Sequence, residues 1–302
     1  MTEDIHSFCK LGIVHSQAFP SCNESEWSFL NTLNLILQDS YFDLVEIGQL
    51  PFSSLNYTVP DLLRTSHIDF TYCGHSRLFK NKLNINSLVE EERVKAVEEL
   101  KIGIEEARSF GAKEFQFLSR EYEEERIEEA IIALAKSTIE LCSFAKDMTI
   151  TLEIFDYDID KCSLLGPIDR VLKFYSLIKD QCPNFGFMVD CSHIPMIRET
   201  LSEALDPIKD CIKHAHMGNT YIKDKEDPAY GDMHPRFGYP GSENDTQYLA
   251  QFLQKLYDFG YLYEGGTNYL SFEVRPLNNE NPQLVIAGSK RCLQEAWKKV
   301  KK

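Results

Sequence analysis

TITLEIFD (Thr149–Asp156) and GFMVD (Gly186–Asp190) are two short runs of apolar residues, each carrying a carboxylate at or near its end. Between them DRVLKFYSLI (Asp169–Ile178) reads as a helix. An apolar run of four to eight residues suits a strand buried on both faces, and two such strands joined through a helix form a parallel βαβ unit. The same alternation extends in both directions. Strands are predicted at Lys10–Val14, Phe42–Ile47, His67–Tyr72, Glu114–Leu118, Thr149–Ile154, Gly186–Val189, Ile212–His216 and Tyr269–Val274. Helices are predicted at Ser25–Leu37, Val89–Ser109, Glu123–Ala145, Asp169–Ile178, Arg198–Asp206, Asp245–Phe259 and Gln283–Lys298. Only a short element around Pro60–Arg64 is expected between the second and third strands.

Eight strand–helix alternations without a composition break, joined by right-handed crossovers, close into a (β/α)₈ barrel. A doubly wound open sheet competes, but it needs a switch point, and no G-x-G-x-x-G follows the first strand. The 302 residues fit one barrel domain spanning 1–302, since such barrels take about 250 residues as a unit. The net charge of −15 opposes a polyanionic partner, so neither nucleic acid nor an anionic membrane surface is expected. Nine cysteines, an odd number with no C-x-x-C pair, indicate reduced thiols and not a disulfide framework or a zinc ribbon. The N-terminal MTEDIHSFCK lacks the apolar core of a signal peptide, and no apolar run approaches eighteen residues. The expectation is a soluble, cytoplasmic protein. Tyr261 and Tyr263, read as loop aromatics, hint at a homo-oligomeric contact.

In such a barrel the active site gathers at the C-terminal ends of the strands. The polar residues predicted there are Glu153 on the fifth strand, Asp190 on the sixth with His193 three residues on, His214 and His216 on one face of the seventh, and Glu273 on the eighth. Taken singly, each is as well explained by an ion pair or a hydrogen-bonded core residue. Together, three carboxylates and an imidazole at one barrel mouth would cost several kcal/mol per ion without compensation. A divalent cation compensates them, and three oxygens with one nitrogen and no thiolate suit Mn²⁺, Mg²⁺ or Co²⁺ and permit Zn²⁺.

LEIFD, MVDCSHIP, HAHMGN and FEVRP, in this order, resemble the xylose-isomerase-like barrel superfamily, and the similarity runs from KLGIVH at Lys10 through FDLVEIG at Phe42 to the last strand. That group includes sugar isomerases, ketose 3-epimerases, hydroxypyruvate isomerase, inosose dehydratase and apurinic endonucleases. The resemblance implies a metal held by Glu153, Asp190, His216 and Glu273, with His193 contacting substrate or a second metal. It also implies that Glu153 and Glu273 act as paired acid–base groups, moving a proton on a small carbohydrate through a metal-stabilised enediolate. In GDMHPRFGYPGSEND (Gly231–Asp245), Asp232 and His234 resemble further ligands of the endonuclease branch, so that with His193 they are candidates for a second metal. Arg275, on the side of Glu273, together with Arg236 and His75, are candidate substrate contacts, whereas Arg120 reads as a structural ion pair. A dehydratase of the inosose type would use the same ligands. The endonuclease reading is weakened because Ser119 and Arg120 end the fourth strand where a histidine is expected. A barrel that binds without catalysing is opposed by the intact ligand set.

Overall fold

Alternation along a strand sends successive side chains to opposite faces, and here both faces are used. A computed structural model describes residues 1–302. Its strands are β1 Lys10–Val14, β2 Leu44–Gly48, β3 Asp69–Cys73, β4 Glu114–Leu118, β5 Thr149–Glu153, β6 Phe185–Asp190, β7 Ile212–Met217 and β8 Tyr269–Phe272. All neighbours pair in parallel, and β8 returns to β1, so the sheet is a closed (β/α)₈ barrel.

Residues such as Ile13, Val45, Tyr72, Phe115, Leu152, Phe187, Ala215 and Phe272 are wholly buried within the continuous apolar core. The alternate positions carry polar side chains that meet one another across the barrel, among them Glu46, Gln116, Thr151 and His214. Much of the interior is therefore polar, with Leu44 among the exceptions. At its lower end Asp69 pairs with Lys10 and Lys113 and accepts a hydrogen bond from the Tyr269 hydroxyl.

The helix Glu90–Phe110 starts with three glutamates, favourable at the positive end of the helix dipole, and stops at Gly111, whose φ of 83° suits a residue without Cβ. Its buried stripe includes Val97, Leu100 and Ile104, while Val94 turns outward. In Glu26–Leu37 the inward face is Phe29, Leu33 and Ile36, and Trp27 is 75% exposed.

Two helical stretches depart from expectation. Leu55–Ser66 is one helix with Pro60 inside it, longer than the Pro60–Arg64 element. Proline forfeits the bond to the carbonyl four residues back; that residue is Asn56, which is solvent-exposed, while Leu55, Val59 and Leu63 bury a full face. His75–Asn81 is a further helix after β3. Tyr261 is not a loop contact: it is buried, and its hydroxyl donates to the Tyr269 carbonyl at 2.6 Å. Tyr263 is 47% exposed. No helix is long and apolar enough to cross a membrane.

Candidate metal centre

Each strand end delivers one donor. Glu153 is the last residue of β5 and Asp190 the last of β6; His216 lies near the end of β7, and Glu273 follows β8 directly. Their ligand atoms all lie within 4.8 Å of one another, and all four residues are buried. His216 Nδ1 stands 2.7 Å from Glu273 Oε2, 3.8 Å from Asp190 Oδ2 and 4.0 Å from Glu153 Oε1. The backbone must come close here. A Cβ on Gly218 would sit 2.8 Å from His234 Nδ1 and 3.0 Å from Asp190 Oδ1.

Whether this set fits a cation is decided by what the protein leaves unpaired. Glu153 Oε1 and Asp190 Oδ2 are buried and have no hydrogen-bond partner. Native proteins pair almost all buried polar atoms, and an unpaired carboxylate oxygen is among the costliest exceptions. Burial, with the charge of Glu273 beside it, pushes the Glu153 carboxyl up to about 8. Burial also works against the ionised form of Glu273, but His234 and His216 outweigh it and hold this carboxyl below its ordinary range. The two glutamates are thus driven apart, one toward holding a proton and one toward ionisation. Burial opposes a charged His216 imidazole, yet Glu46 and Glu273 raise it well above its usual value. A divalent ion would take over that positive charge and use the free oxygens as ligands.

The ring orientation of His216 is set from below. Its Nε2 lies 3.1 Å from Glu46 Oε1 and so donates there, leaving Nδ1 for a ligand role. Glu46 also meets His214 Nε2 at 3.0 Å, and His214 Nδ1 meets Glu114 Oε1 at 2.9 Å. Gln116 donates to Glu46 and Thr151 to Glu114. Glu46 and Glu114 raise His214 to about 9 against the opposing effect of burial. Glu46 sits inside the apolar run FDLVEIG much as Glu153 sits inside its own strand. It stands next to last in the predicted strand Phe42–Ile47, as Glu153 does in Thr149–Ile154, and only the observed range Leu44–Gly48 places it in mid-strand, below the mouth.

The other candidates are placed as follows. His193 Nδ1 donates to the Ile154 carbonyl at 2.9 Å, and its Nε2 lies 2.8 Å from Asp232 Oδ1. His234 Nε2 meets the same oxygen at 2.8 Å, so His193, Asp232 and His234 do come together, beside the four-residue set. His75 Nε2 is 3.5 Å from Glu153 Oε2, and burial lowers its imidazole to about 4. A cavity of about 680 Å³ opens over these residues, lined by His75, Glu153, Lys161, Asp232, Glu273 and Arg275 among others. The Arg275 guanidinium has no acidic partner and lies 3.5 Å from the Gln17 amide oxygen, while Gln17 donates to Glu273 at 3.1 Å. Arg236 is not brought to this cavity: it pairs with Glu280 at 2.8 Å and donates to the Gly238 carbonyl. Arg120 pairs with Glu121 and stacks over Phe79, as a structural residue would. Lys161 and Gln17 were missed from sequence because they lie outside the strands, where no periodicity marks them.

Among curated proteins none matches this sequence. Solved structures share the fold at low identity. A D-tagatose 3-epimerase-like protein is 18% identical over 96% of this chain and 99% of that one, with a TM-score of 0.71. The 3-keto-D-glucoside 4-epimerase YcjR from E. coli is 15% identical over 95% and 99%, with a TM-score of 0.68. The IOLI protein, solved with a bound zinc atom, is 16% identical over 97% and 99%, with a TM-score of 0.70. The family described as the xylose isomerase-like TIM barrel matches residues 56–295. With that match covering most of its length, the chain belongs to the xylose isomerase-like TIM barrel family.

Proposed function

We propose that the protein is a divalent-metal-dependent isomerase or epimerase of a small sugar or sugar-derived ketone. The observation that carries this reading is the pair of carboxylate oxygens without hydrogen bonds, on Glu153 and Asp190, inside a four-residue ligand set beneath the cavity. Glu153, Asp190, His216 and Glu273 would hold the ion; their oxygen-rich chemistry suits Mn²⁺, Mg²⁺ or Co²⁺ and admits Zn²⁺. When bound, the ion supplies a Lewis acid that polarises a carbonyl and acidifies the neighbouring C–H.

The protein's own residues do the rest. Glu273 and Glu153 would each ligate the ion through one oxygen and handle protons through the other, one taking the proton from carbon and the other returning one. The roles exchange when the substrate presents its other face. His193, fixed by the Ile154 carbonyl, and neutral His75 orient substrate oxygens. Arg275, free of acidic partners, receives a polar or anionic end of the substrate. Names of the structural neighbours, which include a 3-epimerase of D-allulose from Methylomonas sp., support a ketose as the first substrate class to try. Nine unpaired thiols fit a reducing, cytoplasmic setting.

The test is to incubate the metal-loaded protein with a panel of ketoses in D₂O. Deuterium entering at the carbon next to the carbonyl, with a new epimer or aldose, is the expected result. Loss of water from an inosose without exchange into any ketose would replace this reading with the dehydratase one.

A further inference from the structure

The cluster beside the four-residue set is built around Asp232, and it holds a residue that a metal site has no use for. Oδ1 of Asp232 collects both imidazoles, His193 Nε2 and His234 Nε2, each at 2.8 Å. Oδ2 faces the Lys161 ammonium at 2.7 Å. Asp190, His193 and His234 are close enough to hold an ion by themselves, so the donors of a second metal site are present. The question is what neutralises them.

Lys161 is held in place by construction. Buried Asp156 accepts hydrogen bonds from the backbone N–H groups of Ile159, Asp160, Lys161 and Cys162, which folds the loop after β5 into one fixed turn. Asp160 Oδ2 in turn accepts from the backbone N–H of Asp232 at 2.9 Å. Gly231 lets the two segments approach: a Cβ there would stand 3.1 Å from the Asp160 side chain. The loop and the Asp232 segment therefore clasp each other twice, once through Asp160 and once through Lys161. Burial disfavours a charged lysine, yet Asp232 and Asp160 raise its ionisation further above the ordinary lysine range.

We infer that Lys161 is a built-in counter-ion that takes the place of a second metal at Asp232, so that the barrel mouth holds one metal and one ammonium. An ammonium fixed on one oxygen of Asp232 repels any divalent ion bound through the other, in a site where water screens poorly. It also occupies acceptor capacity the ion would need. Lys161 lines the cavity, so substrate meets N–H donors at this point, whereas a second ion would offer an open coordination position. The donor set His193, Asp232 and His234 is thereby turned from ligation to hydrogen bonding.

This inference rests on the reading of the four-residue set as the metal site, and its test separates the two. Metal equivalents are measured by elemental analysis and zinc calorimetry on stripped and reloaded protein, in the wild type, Lys161→Met and Lys161→Arg. The wild type and Lys161→Arg are expected to bind one equivalent. Lys161→Met is expected to bind one more than the wild type, with the extra equivalent at least tenfold tighter than any second binding by the wild type and abolished by adding His234→Ala. Circular dichroism and melting curves establish that each variant is folded. The same pair is compared in a His216→Ala background, where the extra equivalent should persist after binding at the four-residue set is weakened. Two equally tight equivalents in the wild type, or no gain in Lys161→Met, would overturn the role of Lys161. A wild type that binds nothing counts against the four-residue site alone, because the gain in Lys161→Met still decides this inference.

Discussion

Two clusters of buried acids and histidines are stacked inside one barrel, and they differ in a single respect. The lower one, Glu46, His214 and Glu114 with Gln116 and Thr151, is closed: both nitrogens of His214 are matched to carboxylates, and the carboxylates receive further donors. The upper one, Glu153, Asp190, His216 and Glu273, is open, because Glu153 Oε1 and Asp190 Oδ2 accept no hydrogen bond. Glu46 and His214 of the lower cluster, together with His216 above them, also lie close enough to hold a metal. Proximity alone therefore does not separate the two clusters; unpaired carboxylate oxygens within a convergent ligand set do. The lower cluster pairs its charges internally and steadies His216 from beneath, whereas the upper one leaves two carboxylate oxygens for a ligand.

The largest effect expected is on chemistry. Glu153→Gln or Glu273→Gln should lower solvent-hydrogen exchange into substrate by about a thousandfold, within the range for removing a general acid or base, while part of the metal binding survives. NMR of substrate in D₂O measures this, and near-normal exchange in both variants would remove the two glutamates from the mechanism. Next comes stability. Glu114→Ala strands a buried imidazolium and should cost about 3–5 kcal/mol in urea unfolding, whereas Glu153→Gln in metal-stripped protein should cost little or stabilise. Equal costs in the two variants would erase the distinction between closed and open clusters.

The third test is pH. The folded value of Glu153, about 8, stands above its ordinary 4.5. Its contribution to the stability of metal-stripped protein is therefore fully present below pH 4.5 and is lost as pH rises through about 8. Metal binding must displace that proton, so apparent affinity should climb by up to about tenfold per pH unit until the group is ionised. Melting curves of stripped wild type against Glu153→Gln should diverge across that window; parallel curves would show that Glu153 does not carry the proton. Smaller effects are expected at the rim. Arg275→Ala should raise KM about tenfold with kcat little changed, as for lost uniform binding. Arg236→Ala should alter neither by more than about twofold, because its guanidinium is engaged by Glu280.

The sequence makes the upper cluster legible for a physical reason. Glu153, Asp190, His216 and Glu273 each interrupt or end an apolar strand, where an uncompensated charge is conspicuous. The barrel is legible for the same reason, since eight apolar runs separated by helical periods leave few alternatives. Glu46 obeys the same pattern, and only the observed strand Leu44–Gly48 and the cross-barrel contact to His214 show that it serves below the mouth. Lys161 lies in a loop whose shape comes from four backbone donors converging on Asp156, an arrangement with no period to read. Sequence neighbours group Arg236 with the site, and only the fold turns it toward Glu280. Pro60 reads as the start of a short element, whereas the helix runs through it because the carbonyl that loses its bond belongs to solvent-exposed Asn56.

The central claim is that the open cluster takes a metal and the closed one does not. Anomalous diffraction from crystals soaked in Mn²⁺ or Zn²⁺ tests this most directly. The result predicted is one strong peak within coordination distance of Glu153, Asp190, His216 Nδ1 and Glu273, with none between Glu46, His214 and Glu114. A peak in the lower cluster, or a saturating soak that leaves the upper one without density, would contradict it.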